Sequence, residues 1–386
     1  MDQPTSTIIR RFELVTETYP PEINGVALTV QSLHDGLKAL GHDVGLVRPA
    51  RPGENSDESQ ELLRVDGAPI PRYPGMRFGL PSGRKLAARW MRQRPEAIYI
   101  ATEGPLGWSA LRAAKRLGIP VATGFHTRFD DYVGRYGASF LSPWVFAWLR
   151  RFHNRADATL VPTRELAEQL TAQGFLHARR LGRAVDTVRF HPRFRSEALR
   201  AAWGVAPDDL AVVHVGRLAP EKNLPLLMRS FNALKAERPG AKLVLVGDGP
   251  ARAALGDQHP DVVFAGTLRG EALSAHFASA DLFCFPSLSE TFGNVTLEAM
   301  ASGIATVAFD YGAAREHLRD GVHGASVPFG DESAFLARFL DTALSPRLAA
   351  MGAAARDAVD GLSPERVSRD FADLLIALAT PLEKAA

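Results

Sequence analysis

Two glutamates in the segment SETFGNVTLEAMASG (289–303), Glu290 and Glu298, flank a Phe-Gly-Asn step with seven residues between them. Carboxylates so close to a glycine and to a helix start can form an acid/base pair, hold a metal, or accept hydrogen bonds from a ligand rich in hydroxyls. Upstream, GRLAPEKNLPLL (216–227) carries Arg217 and Lys222 just after an apolar run. Arginine offers phosphate oxygens a planar fork and lysine a mobile point charge. Together they can neutralise a diphosphate without a metal; the bland reading is a solvated surface pair. A third stretch, ETYPPEINGVALTV (17–30), leads into a helix, with Asn24 and Gly25 supplying a tight turn. The unpaired N–H groups and positive dipole end of that helix can receive a phosphate or a sugar hydroxyl. Taken alone, this stretch reads equally well as a plain strand-to-helix turn. VGDGPAR (246–252) reads as a turn whose glycines allow close backbone approach.

These residues need a scaffold, and the composition bounds it. A chain of 386 residues is too long for one ordinary core and suggests about two domains. Lys and Arg number 45 against 43 Asp and Glu, so a nucleic-acid partner is not implied. One cysteine, Cys284, cannot form an internal disulfide or a thiolate cluster, which fits a reducing compartment. The first residues contain no run resembling a signal peptide, and no stretch is long enough to span a bilayer. The chain reads as cytoplasmic, with surface attachment to a membrane left open.

Short apolar runs alternate with helical patterns in both halves. In the first half they are FELVTET (12–18), DVGLVRP (43–49), AIYIATE (97–103), VATGFHT (121–127) and ATLVPT (158–163). Near-continuous apolar runs of this length suit parallel strands covered on both faces. Val26, Val30, Leu33, Leu37 and Leu40 mark an amphipathic helix that ends at Gly41. The pattern breaks at the polar stretch 189–204 and restarts with runs at 211–217, 242–248, 262–267, 281–287 and 304–310. The expected fold is α/β, with two Rossmann-like domains at 1–192 and 193–362 facing a central cleft. The last helical stretch, 363–386, can pack back on the first domain. Ligands of open α/β sheets bind beyond the carboxyl ends of the strands, so Arg217, Lys222, Glu290 and Glu298 are expected on one rim. A helix starting near Asn294 would aim the N–H groups of Phe292, Gly293 and Asn294 at the same place. That combination suits a ligand carrying both phosphates and hydroxyls, as nucleotide sugars do.

YPPEINGVALTV, GFHTRFDDY, GRAVDTVRFHP, GRLAPEKN, GDGP and FPSLSETFGNVTLEAMASG occur in this order and span nearly the whole chain. In these motifs the chain resembles the retaining glycosyltransferases of family 4, which have the GT-B double-Rossmann fold. The resemblance implies that Glu290 accepts hydrogen bonds from donor-sugar hydroxyls and Glu298 from the ribose. It implies that Thr291, Phe292, Gly293 and Asn294 hold sugar and diphosphate through their backbone. Gly216, Arg217 and Lys222 would grip the diphosphate and stabilise the leaving group. Gly25 would approach the donor phosphate, His126 would sit near the reacting sugar and the acceptor, and Thr267 and Leu268 would lie at the base. Many relatives carry two consecutive glycines where this chain has Asn24 and Gly25. Asn tolerates a left-handed backbone better than most residues, so the loop is expected to work, with a contact to the acceptor that differs from theirs.

No Asp-x-Asp sits at a strand end, since FDDY and PDDL hold adjacent aspartates, so no metal cofactor is expected. The family's front-face attack, in which the leaving phosphate takes the acceptor's proton, is implied by the resemblance. The stretches GRAVDTVRFHP and SETFGN resemble bacterial GDP-mannose-dependent mannosyltransferases, with UDP-sugar glycolipid synthases as the alternative. A sugar-nucleotide epimerase, a dehydrogenase (which would need GxGxxG after its first strand) and an inactive nucleotide-sugar-binding protein are competing readings. The expected partners are a nucleotide sugar and a lipid-linked or glycan acceptor. Arg72, Arg77, Arg84, Lys85, Arg89, Arg92 and Arg94, with no acid within 71–95, suggest an anionic membrane surface, and so a peripheral place on its inner face. The aromatics of SPWVFAWLRRFHNR (142–155) are at helical spacing and are expected to face the core.

Overall fold

The computed structural model describes residues 9–22, 24–55, 57–69, 77–126, 142–290 and 292–380. The chain divides into two units, Met1–Gly182 with Pro364–Ala386, and Arg183–Ser363. No helix among the described residues is long and apolar enough to cross a membrane.

In the first unit the strands are β1 (Arg11–Val15), β2 (Asp43–Pro49), β3 (Leu62–Val65), β4 (Gly67–Pro69), β5 (Arg77–Gly79), β6 (Ala97–Ile100), β7 (Val121–Gly124), β8 (Ala158–Val161) and β9 (Ala178–Arg180). The helices are α1 (Gly25–Ala39), α2 (Gly83–Arg92), α3 (Pro105–Arg116), α4 (Ser142–His153) and α5 (Arg164–Ala172). Seven strands pair in parallel in the order β3-β2-β1-β6-β7-β8-β9, and β4 and β5 form a small antiparallel pair. Alternate residues of the strands feed cores on opposite faces. Phe12, Leu14 and Tyr99 pack with Val30 and Leu33 of α1, while Val15, Ile98 and Ile100 pack with Leu86, Trp90, Leu106 and Phe152.

In the second unit the strands are β10 (Ala211–Val215), β11 (Lys242–Val246), β12 (Val263–Gly266), β13 (Leu282–Phe285), β14 (Ala305–Phe309) and β15 (Gly324–Val327). The helices are α6 (Glu197–Ala202), α7 (Leu224–Glu237), α8 (Arg252–Gln258), α9 (Gly270–Ser279), α10 (Asn294–Ala301), α11 (Gly312–His317), α12 (Glu332–Ala343) and α13 (Leu348–Val359). The six strands are parallel in the order β12-β11-β10-β13-β14-β15, with α7 and α12 on one face and α9, α10 and α13 on the other. The final helix, α14 (Pro364–Ala379), belongs to the first unit, where Phe371, Ala372 and Leu375 join the α1 core. Gly36 is where the two helices cross: a Cβ there would meet Ser368 Oγ at 1.9 Å.

In each sheet the strand order reverses beside the first strand, between β1 and β6 and between β10 and β13. Connections leave to opposite faces at such a point and open a crevice at the carboxyl ends. The chemistry-bearing residues cluster at these two places.

Candidate active site

At the reversal in the second unit, the loops after β10 and β13 are stitched together. The Leu288 N–H donates to the Glu221 carbonyl at 2.8 Å. This join brings Lys222, in a single 3-10 turn at Pro220–Lys222, onto Glu290 as an ion pair. Ser287 Oγ donates to the same carboxylate at 2.8 Å, and Tyr311 Oη donates to the Ser287 carbonyl at 3.0 Å. The Lys222 ammonium also lies 5.3 Å from the centroid of the Phe285 ring. Arg217 leaves the end of β10 at Gly216 with its side chain half exposed, its guanidinium 3.9 Å from Glu221.

Gly293 takes φ +90° immediately before α10, a left-handed turn that favours glycine, and Asn294 opens the helix. The Phe292 side chain is buried, and its carbonyl accepts from the Ala313 N–H at 2.7 Å. Glu298 stands in the second turn of α10. Burial pushes its carboxyl up to about 7, against the pull of Arg189. Thr267 and Leu268 follow β12 at the sheet edge; Thr267 is exposed and Leu268 packs on the core that holds Leu297 of α10. Thr291 lies outside the described residues.

VGDGP serves the protein's own backbone. A Cβ on Gly247, which has φ +134°, would lie 2.0 Å from the Gly216 carbonyl oxygen. One on Gly249 would lie 2.4 Å from that of Leu218. The glycines therefore let the β11 loop support the one that carries Arg217 and Lys222.

In the first unit, His126 follows β7 and is half buried, with Nε2 2.6 Å from Tyr99 Oη. Gly124 makes room for this contact, since a Cβ there would meet both atoms within 2.3 Å. The turn before α1 differs from expectation. Asn24 has an extended backbone (φ −152°) and caps the helix, its Oδ1 accepting from the Ala27 N–H at 2.8 Å. Its Nδ2 donates to Thr18 Oγ1 at 2.7 Å. Asn24 is thus chosen for its side chain and not for left-handed tolerance. Gly25 is the first residue of α1 and has no positive φ, so it opens the helix and does not use the left-handed freedom of a glycine. No atom lies within 4 Å of where its Cβ would stand.

The basic stretch also needs correction. Arg89 is 1% exposed and faces the sheet with Leu86 and Trp90, three residues before it and one after. Its Nε donates to Glu13 Oε1 at 2.9 Å, and Nη1 and Nη2 donate to the Ser59 and Gln60 carbonyls. Arg92 pairs with Glu58 at 2.6 Å and Lys85 with Asp66 at 3.4 Å, while Arg72 lies outside the described residues. Conversely, α4 turns only part of its apolar set inward. Leu149 and Phe152 are buried, whereas Trp144 is 77% and Trp148 42% exposed, against the expectation that its aromatics face the core. Phe146 packs on the core that holds Leu149, and Trp148 lies over Phe152 and Trp108, so the outward turn is greatest at Trp144.

Similarity to known proteins bears directly on this arrangement. The family described as Glycosyltransferase Family 4 matches residues 23–189, and Glycosyl transferases group 1 matches 209–343. A GDP-mannose-dependent alpha-mannosyltransferase of Mycolicibacterium smegmatis is 37% identical over 313 residues, covering 79% of this chain and 81% of that one. The chain is a family 4 glycosyltransferase. An alpha-monoglucosyldiacylglycerol synthase of Streptococcus pneumoniae is a more distant relative of this glycosyltransferase, 26% identical over 328 residues, covering 82% of this chain and 74% of that one. In fold it resembles the sucrose-phosphate synthase of Thermosynechococcus elongatus, with a TM-score of 0.72, 19% identity and coverage of 96% and 99%. The fold is therefore GT-B, with two α/β Rossmann-like domains.

The sequence reading missed two acids at the reversal in the first unit of the glycosyltransferase. Glu17, after β1, accepts from the Leu106 N–H at 2.9 Å, and burial pushes its carboxyl up to about 7. Glu103, after β6, is buried with Oε1 3.3 Å from His153 Nε2. Both stand at the ends of the runs FELVTET and AIYIATE, two and three residues past the last residues of β1 and β6, so strand-end position was the available signal. Among the described residues no group of three or more His, Cys, Asp or Glu is placed to hold a metal.

Proposed function

We propose that this glycosyltransferase moves mannose from GDP-mannose to a lipid-linked or glycan acceptor, with retention of configuration and without a metal ion. The observation that carries the reading is the Lys222–Glu290 pair at the reversal of the second parallel sheet, with Glu298 one helix turn and a loop away. Donor hydroxyls exchange for Lys222 on Glu290, and the released ammonium joins Arg217 at the diphosphate. Glu298 accepts from the ribose, and the base lies against Thr267 and Leu268, two strands over from β10 at roughly 5 Å per strand. Gly216, Gly293 and Asn294, with the backbone of Phe292 and Thr291, bound the diphosphate and sugar. The open space beside Gly25 lets the α1 N-terminus approach a phosphate.

As the glycosidic bond to phosphate lengthens, charge grows on the leaving oxygen, and preorganised cations lower the barrier most where charge develops. The acceptor oxygen bonds to the anomeric carbon from the same face. Its proton passes to the departing phosphate oxygen, so no carboxylate nucleophile is needed. His126, held by Tyr99, orients the reacting hydroxyls. Arg217 and Lys222 supply the countercharge that a metal would otherwise bring, so a chelator leaves turnover unchanged. The mannosyltransferase relative favours GDP-mannose over the UDP-sugar donor suggested by the more distant glycolipid synthase.

The acceptor is presented at the cytoplasmic face of a membrane, where exposed Trp144 and Trp148 with Arg151 and Arg155 meet anionic lipid. A panel of nucleotide sugars, scored by thermal shift and then by transfer to a membrane extract, tests the donor. Transfer from UDP-glucose but not from GDP-mannose overturns the donor assignment, and absence of transfer from any donor favours the inactive binding protein. The anomeric configuration of the product, read by NMR, tests retention.

A further inference from the structure

His214, on the central strand β10, is fully buried and leaves one atom unexplained. Its Nδ1 lies 3.0 Å from the Cys284 carbonyl oxygen. A carbonyl only accepts, so Nδ1 carries the proton and Nε2 presents a lone pair. Burial pushes the imidazole down to about 4, further lowered by Lys222, so the ring is neutral at physiological pH. Nε2 has no hydrogen-bond partner among the described residues. A buried acceptor of this kind calls for a donor.

Lys222 is a mobile donor close by, near enough to lower the His214 imidazole. A Cβ built on Gly216 would lie 3.6 Å from His214 Nε2 and 3.6 Å from Lys222 Cε, so both converge on one bare face of that glycine. Phe285 lines the same wall, stacked on the imidazole at 5.8 Å between centroids and 5.3 Å from the ammonium. The ammonium reaches past this wall to Glu290.

We propose that His214 is a positioning residue for Lys222, its Nε2 lone pair forming a second seat that receives one ammonium N–H when the donor takes over Glu290. Rotation about the last bonds of the lysine side chain moves the charge between seats while the stem stays beside Gly216. With one N–H on the imidazole, two remain for diphosphate oxygens. A neutral acceptor holds the cation without cancelling its charge, which Glu290 would do. The inference rests on Lys222 serving the donor diphosphate, as proposed above.

One arm of the test needs no donor. In ligand-free Glu290→Gln, Lys222 loses its anionic seat, and the His214 Nε2 resonance in long-range 1H–15N spectra is expected to move upfield, as for a nitrogen that has gained a hydrogen bond. The same spectrum in Glu290→Gln/Lys222→Ala should return to the wild-type position. An Nε2 resonance unmoved by Glu290→Gln overturns the proposal, whatever the nucleotide does. The second arm measures GDP and UDP binding by calorimetry. His214→Phe, which keeps an aromatic ring, is expected to weaken binding roughly tenfold in the wild-type background and negligibly in Lys222→Ala. His214→Gln, which can return an acceptor to the Nε2 position, should recover part of the loss and keeps the test alive if the Phe variant does not fold. Equal losses in both backgrounds overturn the proposal. Unchanged nucleotide binding by Lys222→Ala refutes the donor-site reading instead, leaving the ligand-free arm to judge His214.

Discussion

The carboxyl edges of the two parallel sheets share a topology and differ in chemistry. At the β10/β13 reversal a lysine meets a glutamate, with an arginine alongside. At the β1/β6 reversal two acids, Glu17 and Glu103, are held by a backbone N–H and an imidazole. The fold opens a crevice at both places. What each receives is decided by whether its charges can be exchanged for those of a ligand. Lys222 and Glu290 are each other's replaceable partner, so a ligand that offers both phosphates and hydroxyls satisfies both. Glu17 caps a helix start and Glu103 holds His153, so this edge is the more fixed of the two.

The sharpest way to break the contrast is at the cation edge. Glu290→Ala or Lys222→Ala should lower transfer by about a thousandfold, some 4 kcal/mol of barrier, with the fold intact. Near-normal turnover in either variant, alongside an unchanged melting temperature, would remove the site from this edge. Next, Gly247→Ala tests whether the loop under Arg217 depends on backbone contact. Its Cβ would stand 2.0 Å from the Gly216 oxygen at φ +134°. A loss of about 2–3 kcal/mol in chemical denaturation is expected. At the β1/β6 edge, Tyr99→Phe removes the hydroxyl that lies 2.6 Å from His126 Nε2 and should cost roughly tenfold in kcat with little change in donor KM, the split expected of a group that acts beside the acceptor.

The two raised acids sharpen the comparison through pH. Glu17 and Glu298 both have folded values of about 7, above their ordinary value of 4.5. The folded state therefore binds their protons more tightly. Each contributes stability that is full below the unfolded value and is lost as pH rises through about 7. Glu17→Gln and Glu298→Gln should each flatten the fall in melting temperature between pH 5 and 8. Only the second should also change nucleotide affinity, which in the wild type rises over the same range as Glu298 ionises. The smallest effect on catalysis belongs to Trp144→Ala: transfer to a soluble acceptor should be unchanged while sedimentation with anionic vesicles declines. Equal sedimentation by wild type and variant would remove Trp144 from the surface contact.

Strand centres were legible wherever parallel pairing buries both faces. DVGLVRP became β2 without change, and the runs at 97–103 and 281–287 shortened to Ala97–Ile100 and Leu282–Phe285. Five strands escaped notice, β3 (LLRV), β4 (GAP), β5 (RFG), β9 (ARR) and β15 (GASV), and all five lie at sheet edges. An edge strand pairs on one side only, so its side chains need not form a continuous apolar run. Helix starts at Asn294 and beside Gly25 were legible because their local chemistry is fixed by neighbours in the chain.

By itself the sequence determined the fold class, the family and which residue types stand at the strand ends, because these depend on local patterning and on motifs in a fixed order. Only the tertiary structure decided which charges meet. Arg89 reads as one more surface cation until α2 turns it inward onto Glu13, 76 positions away. Lys222 and Glu290, 68 positions apart, become a pair because β10 and β13 are neighbours in the sheet. His214 reads as one residue of an apolar strand, and its bare nitrogen shows only when Cys284 occupies the other. Burial and partner choice are properties of assembled surfaces, and no local pattern encodes them.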